Sequence, residues 1–128
     1  MKIRMPSADP GIILFAHGSR VESANDAVRR AANDLACTAG NTQVEAAFLE
    51  LGQPDLEGAV ARLVDRGVRD MVVVPYFLTP GIHLERDLPG LVSAACKSFP
   101  EVTIRVAKPL DGHPALTGIL LDRVREAD

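Results

Sequence analysis

The chain has 128 residues, 47% apolar and 24% charged, which fits one domain able to bury roughly two-thirds of its unfolded surface. A formal charge of −3, with arginines scattered among acids, offers no basic field for nucleic acid, and no apolar run approaches the roughly 20 residues that span a bilayer. The opening Met1-Lys2-Ile3-Arg4-Met5-Pro6 has no signal-peptide core, so a cytoplasmic protein is expected; Cys37 and Cys96, without CxxC or Cys/His spacing, read as small buried or half-buried thiols.

Gly11 to Ala16 is a continuous apolar run, the pattern of a strand buried on both faces. Val21, Ala24, Ala27, Val28, Ala31 and Leu35 then recur at three and four residues, which predicts a helix ending near Gly40 with Arg29, Arg30 and Asp34 outward. Gln43 to Leu49 reads as a second strand. Pro54 introduces a helix with Leu56, Ala59, Val60, Leu63 and Val64 inward; Asp55 and Glu57 sit near its start, Arg62 and Arg66 near its end, and Gly67 is its stop.

Met71 to Phe77 is the strongest strand signal, and Pro75, which cannot donate to a ladder, belongs near its end. After a loop from Leu78 to His83, a helix is expected from about Asp87, with Pro89 in its first turn and Leu88, Leu91, Val92, Ala95 and Phe99 on its inner face. Glu101 to Ala107 alternates apolar Val102, Ile104 and Val106 with Thr103 and Arg105, as in an edge strand. His113-Pro114 opens a last helix expected to turn Leu116, Ile119, Leu120 and Val124 inward. Alternating strands and helices of these lengths predict the α/β class: one domain over residues 1–128, core about 11–126, with a four-stranded parallel sheet flanked by helices in flavodoxin-like layering.

Ligands of such sheets bind outside the carboxyl ends of the strands. His17, Glu50 and His83 each follow a predicted strand, as do Arg20, Thr79 and the loop from Lys108 to His113. A single histidine at a loop start is ordinarily a cap or a packing residue. Two imidazoles and a carboxylate at three successive strand ends form a set that suits a borderline divalent metal and proton transfer near neutral pH. Three protein ligands leave coordination positions open, as passing a metal onward requires. Arg20 and Arg86 are surface charges by default, but their nearness to the histidines makes each a candidate grip for a ligand carboxylate. His113 reads as a helix-start residue, with a substrate role as the alternative.

Other chemistries lack their motifs. There is no GxxxxGK[ST] loop and a single glycine follows the first strand, so no nucleotide is expected. No GxSxG elbow is present. A phosphatase-like reading of His17-Gly18 lacks the arginine that precedes the histidine in histidine phosphatases, since Ala16 stands there.

The ordered set Leu14-Phe15-Ala16-His17-Gly18-Ser19-Arg20 with Ala24-Asn25, Ala47-Phe48-Leu49-Glu50, Val72 to Leu78, Gly81 to Pro89, and Pro109-Leu110-Asp111-Gly112-His113-Pro114 resembles the small sirohydrochlorin chelatases of the CbiX family, from Gly11 to Val124. The resemblance implies a class II chelatase fold and insertion of divalent cobalt, or nickel or iron, into sirohydrochlorin, with the metal as substrate. It maps the family's two active-site histidines onto His17 and His83 and an accompanying acid onto Glu50, all three as catalytic and metal-holding groups. Arg20, Arg86 and Lys108 would grip the carboxylated rim of the substrate. Long members of that family carry two such domains in one chain and short members pair as homodimers, so for this one-domain chain the resemblance implies a homodimer. A metal or tetrapyrrole carrier that delivers without catalysing shares every one of these residues and is the alternative.

Overall fold

The computed structural model describes residues 9–41, 43–78 and 82–127, with the backbone alone for 82–85. Strand and helix alternate as β1 (Gly11–Ala16), α1 (Glu22–Ala39), β2 (Val44–Phe48), α2 (Leu56–Asp65), β3 (Asp70–Pro75), α3 (Ile82–Ser98), β4 (Thr103–Val106) and α4 (Ala115–Glu126). The four strands form one sheet in the order β2-β1-β3-β4, and every pairing is parallel.

β1 is apolar throughout because it is central. Its Ile13 and Phe15 face one helical layer with Leu56, Ala59, Val60 and Leu63 of α2 and Leu88 and Ala95 of α3. Its Leu14 and Ala16 face the other with Ala46 and Phe48 of β2 and Ala32 of α1. Burial of a side chain such as Phe15, Leu63 or Met71 contributes about 1.5–3 kcal/mol. Capping contributes about 1 kcal/mol, so packing dominates in α2, although Asp55 Oδ1 does accept from Gly58 N at 2.8 Å. Pro75 closes β3, and Gly40 and Gly67 follow α1 and α2 with positive φ, as their positions predicted.

Three expectations are corrected. The inner face of α1 is Asn25, Val28, Ala31 and Ala32, while Val21, Ala24 and Ala27 are exposed, as is Cys37 on the same helix, which was expected to be at least half-buried. The helix is turned so that Asn25 reaches the loops beneath it, where its amide is fully bonded. Arg29, expected outward, lies over the Phe48 ring at 5.1 Å and donates to Glu22, Asp26 and the Gln53 carbonyl. Its charge is met on the spot, which permits partial burial.

α3 begins at Ile82, several residues before Asp87, so Pro89 lies inside the helix. Proline removes one i→i−4 hydrogen bond, and the apolar contacts of Leu88, Leu91, Val92 and Ala95 offset that loss. Finally, α4 does not turn its apolar side inward. Ile119, Leu120, Leu121 and Val124 are 51, 66, 48 and 69% exposed, and among the described residues α4 packs on no other helix or strand.

Candidate functional site

The β1–β2 ladder runs past the last strand residues. Ala16 is in register with Phe48, and two further bonds follow, Leu49 N to Ala16 O at 2.9 Å and Glu50 N to His17 O at 3.1 Å. Backbone pairing therefore sets His17 and Glu50 side by side at the carboxyl edge of the sheet. His17 Nε2 stands 3.9 Å from Glu50 Oε1, and the two side chains are 61% and 58% exposed. Gly18 permits this approach: it has φ +97°, and a Cβ there would lie 1.7 Å from the Glu50 carbonyl oxygen.

A buried amide ties the two loops together. Asn25, 1% exposed, accepts from Ser19 N at 2.9 Å and donates to Ser19 O at 2.9 Å and Leu51 O at 3.0 Å. Ser19 belongs to the His17 loop and Leu51 to the Glu50 loop. Leu51 has φ +59°, a left-handed conformation that costs a non-glycine residue on the order of 1–3 kcal/mol; the bond from Asn25 to its carbonyl helps to hold it there. The sequence carries one signal for Asn25, a polar residue in helical phase with Val28 and Ala32, but apolar periodicity passes over it. Asn25→Ala leaves three backbone groups without their partner. It is expected to lower unfolding free energy by about 2–4 kcal/mol in urea titrations, and a loss below ~0.5 kcal/mol would show that the amide clamps nothing.

The same helix start holds a charge cluster. Arg29, and then Asn25, hold the Glu22 carboxyl below its ordinary value of 4.5, while Glu22, and then Asp26, raise the Arg29 guanidinium above its own. Because the folded-state pKa of Glu22 is depressed, its stabilising effect is present above the unfolded value and is lost as pH falls through the folded one. Full exposure and solvent screening keep that effect small. Ser19 Oγ accepts from Val21 N at 3.0 Å, which is a turn role and not that of a nucleophile.

The remaining predicted residues are distributed along the same edge. Exposed Arg20 follows β1, exposed Lys108 follows β4, and exposed Arg86 is on α3, the helix after β3. The backbone of His83 is in the first turn of α3; its side chain, like Thr79, lies outside the described residues. Among the described residues no group of three His, Cys, Asp or Glu gathers to hold a metal, so the structure joins His17 with Glu50. His113 is a cap: its Nδ1 accepts from Ala115 N at 3.0 Å at the start of α4.

Chemically, the pair is an imidazole and a carboxylate too far apart for a direct hydrogen bond and open to solvent. Metal bonds of about 2.0–2.2 Å to nitrogen and oxygen are within reach of modest side-chain rotation. An imidazole is also a proton acceptor suited to neutral solution. His17 Nδ1 lies 3.4 Å from Gly18 O, so the tautomer protonated there leaves Nε2 free on the Glu50 side.

A parallel α/β sheet with an imidazole–carboxylate pair at its carboxyl edge has the architecture of the α/β proteins, which as a class take their ligands beyond the strand ends. The CbiX family profile matches residues 11–127, and the chain belongs to that family. It is 32% identical to a sirohydrochlorin cobaltochelatase of Methanosarcina acetivorans, over 91% of this chain and 95% of that protein. It is 33% identical to the chloroplastic sirohydrochlorin ferrochelatase of Arabidopsis thaliana, over 90% of this chain but 51% of that one. Among solved structures it is similar to a CbiX protein of Marinobacter aquaeolei VT8, with TM-score 0.78, 33% identity and coverage of 90% and 93%. SirB of Bacillus subtilis, solved with Fe3+, shares the fold at TM-score 0.83 and 24% identity, with 92% of this chain matching 47% of that one. The chain thus spans about half the length of the Arabidopsis and Bacillus proteins and nearly all of the Methanosarcina and Marinobacter ones.

Proposed function

We propose that this chain is a chelatase that inserts a divalent metal, cobalt foremost and nickel or iron as alternatives, into sirohydrochlorin during tetrapyrrole biosynthesis in the cytoplasm. The observation that carries the proposal is the exposed His17–Glu50 pair, held at 3.9 Å by the extended β1–β2 ladder in a member of the CbiX family. Names borne by similar proteins of both lengths support the substrate.

The reaction exchanges one divalent cation for two pyrrole protons. His17 Nε2 offers its lone pair to the incoming metal or to one of those protons, and Glu50, on the adjacent loop, stabilises the positive charge that either event places on the ring. His83 is proposed as the second imidazole. Arg20, Arg86 and Lys108, on three different connections, are proposed to bind substrate carboxylates, which are well matched by guanidinium and ammonium donors. No nucleotide enters the scheme. Two copies of the chain are proposed to form a homodimer.

Sirohydrochlorin absorbance in the presence of Co2+, Ni2+ or Fe2+ tests the proposal, with the spontaneous rate as reference. Acceleration with at least one metal is expected. No acceleration with any metal would remove the activity, and tight stoichiometric binding without turnover would establish a carrier instead.

A further inference from the structure

Among the described residues outside α4, three large aliphatic side chains are exposed by half or more: Val21, Leu51 and Leu78. Val21 follows β1, Leu51 follows β2 and Leu78 follows β3, strands that are neighbours in the sheet. The first two loops also carry His17 and Glu50, and Asn25 fastens them to each other through Ser19 and Leu51. Exposed aliphatic residues scattered singly are ordinary on a protein surface. Three on adjoining loops at one edge, around an imidazole–carboxylate pair, are not scattered.

Two of the three are also poor choices for their own backbone. Val21 is the N-cap of α1, with extended backbone and no capping bond from its side chain. Serine, threonine, aspartate or asparagine would accept there from an open N–H of the first turn, and valine is among the least favoured residues at such a position. Leu51 has φ +59°, a conformation that glycine or asparagine adopts more readily than leucine. Neither residue belongs to a core cluster, so packing within the chain does not offset the local cost. Aliphatic residues at two positions whose backbone favours something else point to a contact outside the fold.

We propose that Val21, Leu51 and Leu78 contact the apolar face of the tetrapyrrole ring and set the preference of the site for a macrocycle. The inference rests on the chelatase reading above and deepens it by naming the residues that meet the plane of the ring. A carboxylated tetrapyrrole has two kinds of surface, a charged edge and a flat conjugated face. Arg20, Arg86 and Lys108 match the edge. Aliphatic side chains beside His17 and Glu50 match the face, as in ligand sites that combine apolar lining with a few placed polar groups. A hydrated metal ion gains nothing from apolar contact. These residues therefore select the ring and leave selection of the metal to others.

Leu51→Gly and Val21→Ser distinguish this role from a structural one, because each relieves a local cost. The urea midpoint is expected to hold or rise in both. Sirohydrochlorin binding, titrated by absorbance without metal, is expected to weaken ~10-fold in each variant and ~100-fold in the pair. In the metallation assay the loss is expected in KM for sirohydrochlorin and not in KM for Co2+. Leu51→Met keeps an apolar chain and is expected to bind within about threefold of wild type. Binding by the double variant within about twofold of wild type overturns the proposal. So does a urea midpoint that falls in step with affinity, which would place these residues in the fold. Altered sedimentation with unchanged affinity for sirohydrochlorin also overturns it, by assigning the patch to a protein contact. A wild type that binds sirohydrochlorin without metallating it removes the chelatase reading and leaves this test in force, whereas one that binds none removes both.

Discussion

Gly18→Ala is expected to cost about 2–4 kcal/mol of unfolding free energy, seen as a lower urea midpoint at unchanged m, and to abolish metal insertion with it. Two effects act together. Alanine at φ +97° is strained, and its Cβ would lie 1.7 Å from the Glu50 carbonyl oxygen, far inside any carbon–oxygen contact. The obstacle is backbone, so no rotamer change relieves it. The Glu50 loop must move, and the Glu50 N to His17 O bond at 3.1 Å goes with it. Midpoint and activity both within error of wild type would mean that the His17–Glu50 approach is not what Gly18 secures.

His17→Ala is expected to lower sirohydrochlorin metallation by ~100-fold or more, the scale of a lost proton acceptor or metal ligand, while stability moves by less than ~0.5 kcal/mol because the ring is mostly exposed. Glu50→Gln keeps the shape and removes the charge, and a smaller loss is expected. The double variant separates the roles. If Glu50 acts through His17, adding Glu50→Gln to His17→Ala costs little more, since groups that work as a unit are not additive. Losses that multiply would assign the two groups independent tasks.

The sheet was legible because strand signals along this chain are strong. The unbroken apolar run Ile12 to Ala16 could only be central, and the alternation from Val102 to Val106 marked an edge. Helix faces were harder to read. In α1 the alanines fit more than one inward phase, and Asn25 settled the choice through bonds to Ser19 and Leu51 that no periodicity encodes. At α3, Pro89 pulled the expected start toward Asp87, since the rule against proline in a helix is a free-energy cost that packing can outweigh. α4 failed differently: its apolar stripe was expected inward, but among the described residues no other helix or strand packs on it.

At the site, position along the chain indicated which residues end at the carboxyl edge. It could not show that the ladder continues through Leu49 and Glu50, and that continuation is what turns proximity into a 3.9 Å pair. Of the set of three the structure brings His17 and Glu50 together, and the side chain of His83 lies outside the described residues.

The strand order also bears on how the protein acquires its shape. Ile12 pairs with Val44 on one side and with Val72 on the other, partners far removed along the chain. Each pairing requires closure of a long loop before any native contact rewards it, which makes parallel sheets slow to nucleate compared with helical bundles. His17 and Glu50 come together only when β1 and β2 have zipped to their ends, so a chain that has merely collapsed holds neither the pair nor the carbonyl of Leu51 in its left-handed turn. Competence to bind a ligand at this edge therefore arrives late in folding, and an incompletely folded chain has no preformed place to sequester a reactive metal ion.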